Sequence, residues 1–230
     1  MIPIIHYIRV YDAFYRKLIL WTLNCDTVYL LGGDVVAIKA IMLEGPRATG
    51  KSTAARRLRE EIWGSTWINP TGFSDDGQNG LVKIGAYYKG FFDMFKSMKR
   101  NHQELGDVTF IFDRFFFSEM VYSQLYKTYN FEPHYRMFCQ ELFEVFDEVE
   151  VYYLRHSDEQ ELIHRINRDK VDLFDAIPEN VQEIMKQQAK YDEVLFAFEQ
   201  EHAGQPKLSM FHIDTSDKSI DEVVEIIHPF

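Results

Sequence analysis

A glycine-rich loop that carries one lysine and one serine offers the clearest chemistry in this chain. Residues 45–52 read Gly-Pro-Arg-Ala-Thr-Gly-Lys-Ser and satisfy the pattern G-x-x-x-x-G-K-S. In such a loop the backbone N–H groups surround nucleotide phosphates, the lysine reaches the β- and γ-phosphate oxygens, and the serine hydroxyl binds Mg²⁺. We therefore predict a site for ATP and Mg²⁺, with Lys51 also catalytic and Ser52 a metal ligand. The residues assigned to it are Gly45, Pro46, Arg47, Ala48, Thr49, Gly50, Lys51, Ser52 and Thr53.

The segments on both sides of this loop favour the same interpretation. An apolar run from Val35 to Leu43 precedes it and predicts a buried strand. A helical pattern follows, with Ala55, Leu58 and Ile62 on one face. A strand, a glycine loop and a helix in this order form the context in which such a loop binds phosphate, whereas a chance match would need no such flanks.

A second chemical group follows another apolar run. Val108–Phe112 predicts a strand, and Asp113 and Arg114 come directly after it. Because ligands of open parallel sheets bind beyond the carboxyl ends of the strands, Asp113 is expected to hold Mg²⁺, directly or through water. Arg114 is expected to bind a phosphoryl group, since its planar guanidinium bonds two oxygens at once. The alternative is a surface Asp-Arg pair at a strand end.

The size and composition of the chain fit one α/β domain. It has 230 residues, of which 46% are hydrophobic and 15% aromatic, enough for one sizeable core. Its net charge of −11 disfavours a sequence-independent grip on nucleic acid, which needs many Lys and Arg side chains against phosphate. We therefore expect a small substrate and no stable nucleic acid complex.

The sequence carries no signal for a membrane or for export. Arg, Lys and Asp interrupt every apolar stretch, so no segment is predicted to cross a bilayer. The N-terminus lacks a secretory pattern with a small-residue cleavage site. Cys25 and Cys139 show no metal-binding or CxxC spacing and are expected to be free thiols. A cytoplasmic location is the default expectation.

Short β-rich runs alternate with helical patterns from Val35 onwards. The predicted strands are Val35–Leu43, Thr66–Asn69, Val108–Phe112, Val149–Leu154 and Leu208–Ile213. Helical patterns lie between most of these runs and after the last one, and the longest covers residues 81–100. Continuous apolar strands separated by helices indicate a parallel sheet covered on both faces. The predicted fold class is α/β, a three-layer sandwich with a five-stranded parallel sheet.

The long helical segment is rich in aromatic residues. Tyr87, Tyr88, Phe91, Phe92 and Phe95 recur at helical spacing. Most of these rings are expected in the core, while one or two could stack on a nucleobase.

The segment from Asp113 resembles a motif of known kinases. Asp113-Arg114 with Ser118 and Tyr122 is similar to the corresponding segment of thymidylate kinases, and it also resembles the Glu-Arg-Ser segment of deoxynucleoside kinases. The loop with its preceding Glu44 is similar to both families. The final run FHIDTSDKSIDEVVEII resembles the thymidylate kinase C-terminus. The resemblance covers roughly residues 38–228 and is specific for nucleoside and nucleoside monophosphate kinases as a superfamily.

This resemblance implies a P-loop NTPase fold and a role for each matched residue. Lys51 and Ser52 would bind ATP and Mg²⁺, Asp113 would lie near the metal, and Arg114 would bind the 5′ end of the acceptor. Ser118 would pack or hydrogen-bond beneath the substrate.

The resemblance also implies a helical lid after the fourth strand. In these families the lid supplies arginines that close over the phosphates, and residues 162–170 occupy its place here. Arg168 would be catalytic and Arg165 would bind the nucleotide. The alternative is that both arginines lie on the exposed face of a helix and pair with Glu161 or Asp169.

Three features depart from the family patterns. Thymidylate kinases usually carry an acidic residue inside the loop, where this chain has Pro46-Arg47-Ala48-Thr49. The arginine-bearing turn of thymidylate kinases after strand two is absent, and so is the glutamate that serves deoxynucleoside kinases as a base. Residues 67–72, Trp-Ile-Asn-Pro-Thr-Gly, stand in their place. These departures leave the identity of the acceptor open.

Residues 1–35 differ from the rest of the chain. One interpretation is an amphipathic helix followed by a strand over Thr27–Leu31 at the sheet edge. The other is an upstream extension of the reading frame, because Gly32-Gly33-Asp34 can be encoded by a sequence like a ribosome-binding site and Val36 by a GTG start. The predicted domains are this extension, 1–35, and a P-loop kinase domain, 36–230. An intact mass that starts at Met1 would contradict the second interpretation.

The favoured activity is transfer of the γ-phosphoryl group of ATP to a deoxynucleoside monophosphate, with dTMP as the best guess. A phosphate acceptor needs no strong base, whereas a nucleoside 5′-hydroxyl would need one, and Asp113 and Glu44 are the candidates. The alternatives are a deoxynucleoside kinase, a polynucleotide-directed kinase, and a regulatory module that binds ATP without turnover. The oligomeric state stays open, with a homodimer as one option because members of both families commonly dimerise.

Overall fold

A computed structural model describes residues 37–70, 72–101, 106–168 and 180–229 of the chain. These residues form five strands and seven helices. The strands are β1 (Ile38–Glu44), β2 (Ser65–Ile68), β3 (Val108–Asp113), β4 (Glu148–Arg155) and β5 (Leu208–Asp214). The helices are α1 (Lys51–Glu61), α2 (Gly77–Arg100), α3 (Phe116–Tyr126), α4 (Glu132–Val145), α5 (Glu159–Arg168), α6 (Asn180–Glu201) and α7 (Ile220–Ile227).

All five strands are parallel, and their order across the sheet is β2-β3-β1-β4-β5. β1 is central, with β3 on one side, where Leu43 lies opposite Asp113, and β4 on the other side. Because the strands are parallel, their carboxyl ends lie at one edge of the sheet. The loop at 45–50 leaves β1 at this edge, next to the end of β3.

Alternate residues of β1 serve two separate cores, one on each face of the sheet. Ile41 and Leu43 pack in a cluster with buried residues of α1 and α7, among them Leu58. Ala40 and Met42 point the other way, into a larger cluster that includes buried rings of α2, α3, α4 and α6. This alternation is the period of two of a strand buried on both faces. The predicted α/β fold with a five-stranded parallel sheet is confirmed.

Helix α3 is the element that hydrophobic periodicity did not predict. Residues 116–121 and Ser123 are all buried, and its exposed residues, Gln124 and Tyr126, lie in the last turn. A helix that is buried along most of its length shows no regular alternation of apolar and polar positions with a period of 3.6 residues, although its position after Arg114 makes it part of the site.

Residues 1–35 lie outside the described residues, so both interpretations of that segment stay predictions. The boundary between β1 and the preceding segment is also later than expected, because the strand begins at Ile38 rather than at Val35. Among the described residues, no helix is long and apolar enough to span a bilayer.

Candidate active site

The loop between β1 and α1 is held against the sheet by a glycine that no other residue can replace. Gly45 has φ 137°, and a Cβ atom built on it would lie 2.1 Å from the carbonyl oxygen of Leu154 in β4. Gly50, with φ 83°, turns the chain into α1. The first intrahelical hydrogen bond of α1 runs from the Ala54 N–H to the Gly50 oxygen. The N–H groups before it have no partner within the helix and form an anion site by geometry.

Lys51 is buried inside this loop rather than extended into solvent. Its Nζ donates hydrogen bonds to the Pro46 carbonyl oxygen and, at 2.7 Å, to Thr49 Oγ1. Burial lowers the pKa of Lys51 well below its ordinary value, and the nearby Arg114 guanidinium adds to this, while Asp113 and Glu44 oppose it. A buried ammonium with neutral acceptors is suited to a stronger anionic partner, such as a nucleotide phosphate.

A cavity of 670 Å³ opens above the loop. Every residue from Arg47 to Thr53 lines it, together with Arg114, Arg165 and the segment before and at the start of α7. Gly45 and Pro46 do not line this cavity, although the Pro46 carbonyl oxygen accepts a hydrogen bond from Lys51. The structure therefore brings the other predicted nucleotide-binding residues, Arg47 to Thr53 and Arg165, together around one space.

Asp113 lies at the end of β3, where the sequence predicted it. The side chain is buried, and its Oδ2 accepts a hydrogen bond of 2.9 Å from Nδ2 of Asn69, the residue after β2. Ser52 is the second residue of α1 and lines the first cavity. One hydroxyl and one carboxylate suit Mg²⁺, which binds few protein oxygens and takes the rest from water and phosphate. In the described part of the chain, no group of three or more His, Cys, Asp or Glu side chains could hold a metal.

Arg114 adopts a backbone conformation that is uncommon outside glycine, with φ 68°. Its N–H donates to the Leu43 oxygen at 3.0 Å, and its guanidinium lies over the Tyr122 ring at 5.5 Å from the centroid. Burial alone would lower the pKa of Arg114, but Tyr191, Tyr122 and nearby carboxylates raise it above its ordinary value. The side chain is therefore a permanent cation at the carboxyl edge of the sheet.

A second cavity, of 340 Å³, lies on the other side of Arg114. Several of its walls are aromatic: Phe73, Tyr88, Tyr122 and Tyr126. The remaining lining residues are Asn69, Pro70, Gly72, Arg114, Ser118, Glu119 and Lys127. Arg114 is the one described residue that lines both cavities.

The polar end of the second cavity holds a buried ion pair. Lys127 Nζ donates to Glu119 Oε1 at 2.6 Å, and the Tyr129 hydroxyl donates to the same oxygen at 2.6 Å. Glu119 is buried, so this pair is shielded from solvent and geometrically restrained. Aromatic faces beside a fixed donor and acceptor suit a planar, heteroatom-rich ligand.

Both predicted lid arginines belong to α5. Arg165 lines the first cavity, pairs with Glu161 at 2.9 Å, and donates to the backbone oxygens of Thr215, Ser216 and Lys218. Its side chain is 12% exposed, so it joins α5 to the loop before α7 rather than lying on an open helix face. Arg168 is the last residue of α5, and its side chain is not among those described. Its predicted catalytic role therefore stays a prediction.

No sequence pattern singled out His156 and Gln188, which lie behind the first cavity and contact each other. His156, directly after β4, is buried, and neither of its ring nitrogens has a hydrogen-bond partner among the described residues. Burial, together with Arg165 and Lys51, lowers its pKa to about 4, although the Arg47 and Ala48 backbone opposes this. Gln188 of α6 binds the His156 backbone at both N and O. No local pattern marks these residues, because their partners are distant in sequence.

The fold and the loop together define a protein class. A parallel sheet of order β2-β3-β1-β4-β5, a loop of sequence G-x-x-x-x-G-K-S between β1 and α1, and an aspartate at the end of β3 form a P-loop NTPase fold. No protein-family model matches the chain, and no curated protein matches it.

Solved structures provide the remaining comparison. Two structures of deoxyadenosine kinase from M. mycoides match the chain. The one with the products dCMP and a flexible dCDP has 19% identity and a TM-score of 0.44, over 82% of this chain and 95% of that one. The one with bound dCTP has 18% identity and a TM-score of 0.43, over 83% and 96%. Both structures carry the name deoxyadenosine kinase, and at these identities and TM-scores they support no conclusion about the activity of this chain. The likeness is too distant to transfer a substrate.

Proposed function

We propose that this chain is a kinase that transfers the γ-phosphoryl group of ATP to a nucleoside or nucleoside monophosphate. The observation that carries the proposal is the position of Arg114 between two cavities. One contains a phosphate-binding loop, and the other has aromatic walls and a buried ion pair. A cation that borders both cavities can contact the phosphoryl group as it passes from the donor in one cavity to the acceptor in the other.

The donor half of the reaction rests on the first cavity. The loop N–H groups and Lys51 would bind the phosphates, and the lysine would exchange its neutral acceptors, Pro46 and Thr49, for anionic oxygens. Ser52 and Asp113 would hold Mg²⁺, which supplies charge neutralisation at the β- and γ-phosphates. Arg165 would close one wall of the same cavity. Catalysis of this kind is positioning together with electrostatic stabilisation.

The acceptor half rests on the second cavity. A nucleobase would stack against its aromatic walls, and the Glu119–Lys127 pair would face polar groups of the base or sugar. The 5′ end of the acceptor would then lie at Arg114. Dimensions and chemistry both support a small acceptor, in agreement with the net charge of −11, which disfavours a polynucleotide.

The phosphorylation state of the acceptor decides between two candidates. Glu119 is the one carboxylate among the described residues that line the second cavity. Its Oε1 already accepts hydrogen bonds from Lys127 and Tyr129, so it is poorly placed to act as a base. Asn69 lies beside Asp113 with a neutral amide. A monophosphate needs no base and is therefore favoured, with dTMP as one member of the class. A deoxynucleoside is the second candidate, because Asp113 at the same edge could accept the proton of a 5′-hydroxyl.

The proposal is tested by ADP release from Mg·ATP against the four deoxynucleosides and their four 5′-monophosphates. We expect one acceptor or a small group of acceptors to raise ADP release well above the ATP-only rate. Lys51→Met is the inactive control, since it removes the ammonium but keeps the buried side-chain volume. If no acceptor raises ADP release, a nucleotide-binding module without kinase activity is the better interpretation. Activity on oligonucleotides that declines with salt would instead support a polynucleotide-directed kinase.

A further inference from the structure

A chain of short buried hydrogen bonds joins β1, α3 and α6 beneath Arg114. Glu44 Oε1 accepts the Phe115 N–H at 2.7 Å, and Glu44 Oε2 accepts the Ser118 hydroxyl at 2.7 Å. Ser118 Oγ in turn lies 2.6 Å from the hydroxyl of Tyr191. Glu44 and Tyr191 are fully buried, and Ser118 is 5% exposed. Hydrogen bonds to a buried carboxyl are stronger than those at the surface, and losing one leaves a buried polar group unsatisfied.

The β1 end of this chain fixes the backbone on both sides of Arg114. The Arg114 N–H donates to the Leu43 oxygen, and the next N–H, of Phe115, donates to the Glu44 side chain. Two consecutive residues of β1 therefore hold two consecutive amides. Arg114 lies between these bonds with φ 68°, a conformation that costs free energy for a residue with a Cβ atom. Such a conformation persists where surrounding contacts determine it.

The α6 end of the chain reaches the arginine side chain. The Tyr191 ring is perpendicular to the Tyr122 ring at 6.5 Å, and the Tyr122 ring supports the Arg114 guanidinium. The Tyr122 hydroxyl donates to Oε1 of Gln187, one turn before Tyr191, at 3.4 Å. Helix α6 thus contacts the support of Arg114 through two residues on one face.

We propose that Glu44 and Tyr191 are positioning residues for Arg114. Acting through the Phe115 amide, Ser118 and Tyr122, they fix the direction of the guanidinium between the two cavities. Neither residue lines a cavity, so any effect on the substrates passes through the lining residues they contact, among which Arg114 is the one that lines both cavities. The structural part of this inference stands on the contacts alone, and its kinetic consequence rests on the proposed function.

Tyr191→Phe tests the inference because it removes one hydroxyl and keeps the ring. Tyr153→Phe is the matched control: Tyr153 is equally buried, stacks near Tyr191, and directs its hydroxyl to the Gln188 oxygen, away from Ser118. The measurement is the ¹H–¹⁵N signal of the Arg114 Nε group, assigned with Arg114→Lys. We expect a sharp, slowly exchanging signal in the wild-type protein and in Tyr153→Phe, and a broadened or shifted signal in Tyr191→Phe.

Two results would overturn the inference. One is the absence of a resolved Arg114 signal in the wild-type protein, since a fixed guanidinium must give one. The other is an equal response to Tyr191→Phe and Tyr153→Phe. This measurement needs no turnover, so it decides the positioning role even if the kinase proposal fails in the ADP-release assay.

Kinetics provide a second measurement on the active enzyme. Tyr191→Phe should raise the acceptor KM about tenfold, the effect of one lost buried hydrogen bond, with the KM for ATP within about twofold. Tyr153→Phe should leave both KM values within about twofold of wild type. A loss of stability in Tyr191→Phe without this KM difference, or the same KM change in Tyr153→Phe, would assign a merely structural role to the chain of hydrogen bonds.

Discussion

At the scale of single residues, the site contains two buried ionisable groups whose pKa values both move towards the neutral form. Burial raises the pKa of Glu44 to about 7, although Ser118, the Phe115 amide, Arg114 and Lys51 oppose the shift. Burial also lowers the pKa of Lys51 well below its ordinary value. For both residues, burial makes the charged form costly in free energy. Strongly shifted pKa values of this kind are common at functional sites. A nucleotide phosphate would relieve the cost at Lys51.

The charge state of Glu44 predicts how stability depends on pH. Between the unperturbed value of 4.5 and about 7, the folded protein keeps Glu44 protonated while the unfolded chain has released the proton. The stabilising contribution of this group is therefore present below pH 4.5 and is lost as pH rises through 7. Glu44→Gln removes this titration, so the difference in unfolding free energy between wild type and variant should fall by about 2–3 kcal/mol from pH 5 to pH 8.

Urea denaturation of both proteins at several pH values measures this difference. The groups that face Glu44 from the surrounding elements are Lys51, Arg114, Tyr88, Tyr135 and Tyr191, and all are common to both proteins. Their contributions cancel to first order. A difference that stays constant with pH would mean that Glu44 titrates in its ordinary range.

The position proposed for Arg114 predicts a specific kinetic defect. Arg114→Ala should lower kcat/KM for the acceptor about 100-fold, because the variant lacks the cation that would face the acceptor. The affinity for ATP should change about threefold or less. Arg136→Ala is the control, since Arg136 is exposed on α4 and pairs with Glu132. Steady-state kinetics with each substrate varied, together with ATP binding by calorimetry, provide the comparison. Equal losses of ATP and acceptor affinity would contradict the role given to Arg114.

At the scale of elements, the loop between β1 and α1 packs closely against β4 at Gly45, and a larger residue there would push the loop away from the strand. Gly45→Ala would place a Cβ atom 2.1 Å from the Leu154 oxygen at φ 137°. We expect a loss of about 2–4 kcal/mol in unfolding free energy and the loss of measurable ATP binding.

Gly90→Ala is the matched control for this variant. Gly90 lies on the exposed side of α2, and a Cβ atom there meets nothing within 4 Å. The substitution should raise stability by about 0.5–1 kcal/mol through helix propensity and leave ATP binding unchanged. Thermal denaturation with and without Mg·ATP measures both effects. If Gly45→Ala kept wild-type ATP binding, the loop would not depend on its contact with Leu154.

The elements also show which structural features were predictable from sequence. The five strands were predicted to within a few residues, because each is rich in β-branched, aromatic or other apolar residues. Helix α2 begins at Gly77, whereas the predicted helical pattern covers residues 81–100, because Gly77, Asn79 and Gly80 are residue types that favour turns. Helix α3 was not predicted from periodicity, since its first six residues are all buried. Periodicity identifies helices that have one buried and one exposed face along their length, and α3 does not have this pattern.

At the scale of the whole molecule, local motifs singled out most residues around the first cavity but not the residues that pack behind it. The residues from Arg47 to Thr53 and Arg114 converge on one cavity as expected. Asn69, His156 and Tyr191 did not emerge, because each acts through a partner between 32 and 73 positions away. Such contacts depend on the order of strands in the sheet and on helix packing, which single-sequence patterns do not encode. In the second cavity, the lining residues that no sequence pattern singled out are Phe73, Glu119, Tyr126 and Lys127.

In the proposed reaction, a phosphoryl group passes from ATP in the first cavity to an acceptor in the second cavity. The most direct test is transfer of label from [γ-³²P]ATP in the presence of Mg²⁺ and each of the eight deoxynucleosides and monophosphates. We expect label at the 5′ end of at least one acceptor with wild-type protein, and none with Lys51→Met. Label that appears only as inorganic phosphate, or that stays in ATP with every acceptor, would contradict it.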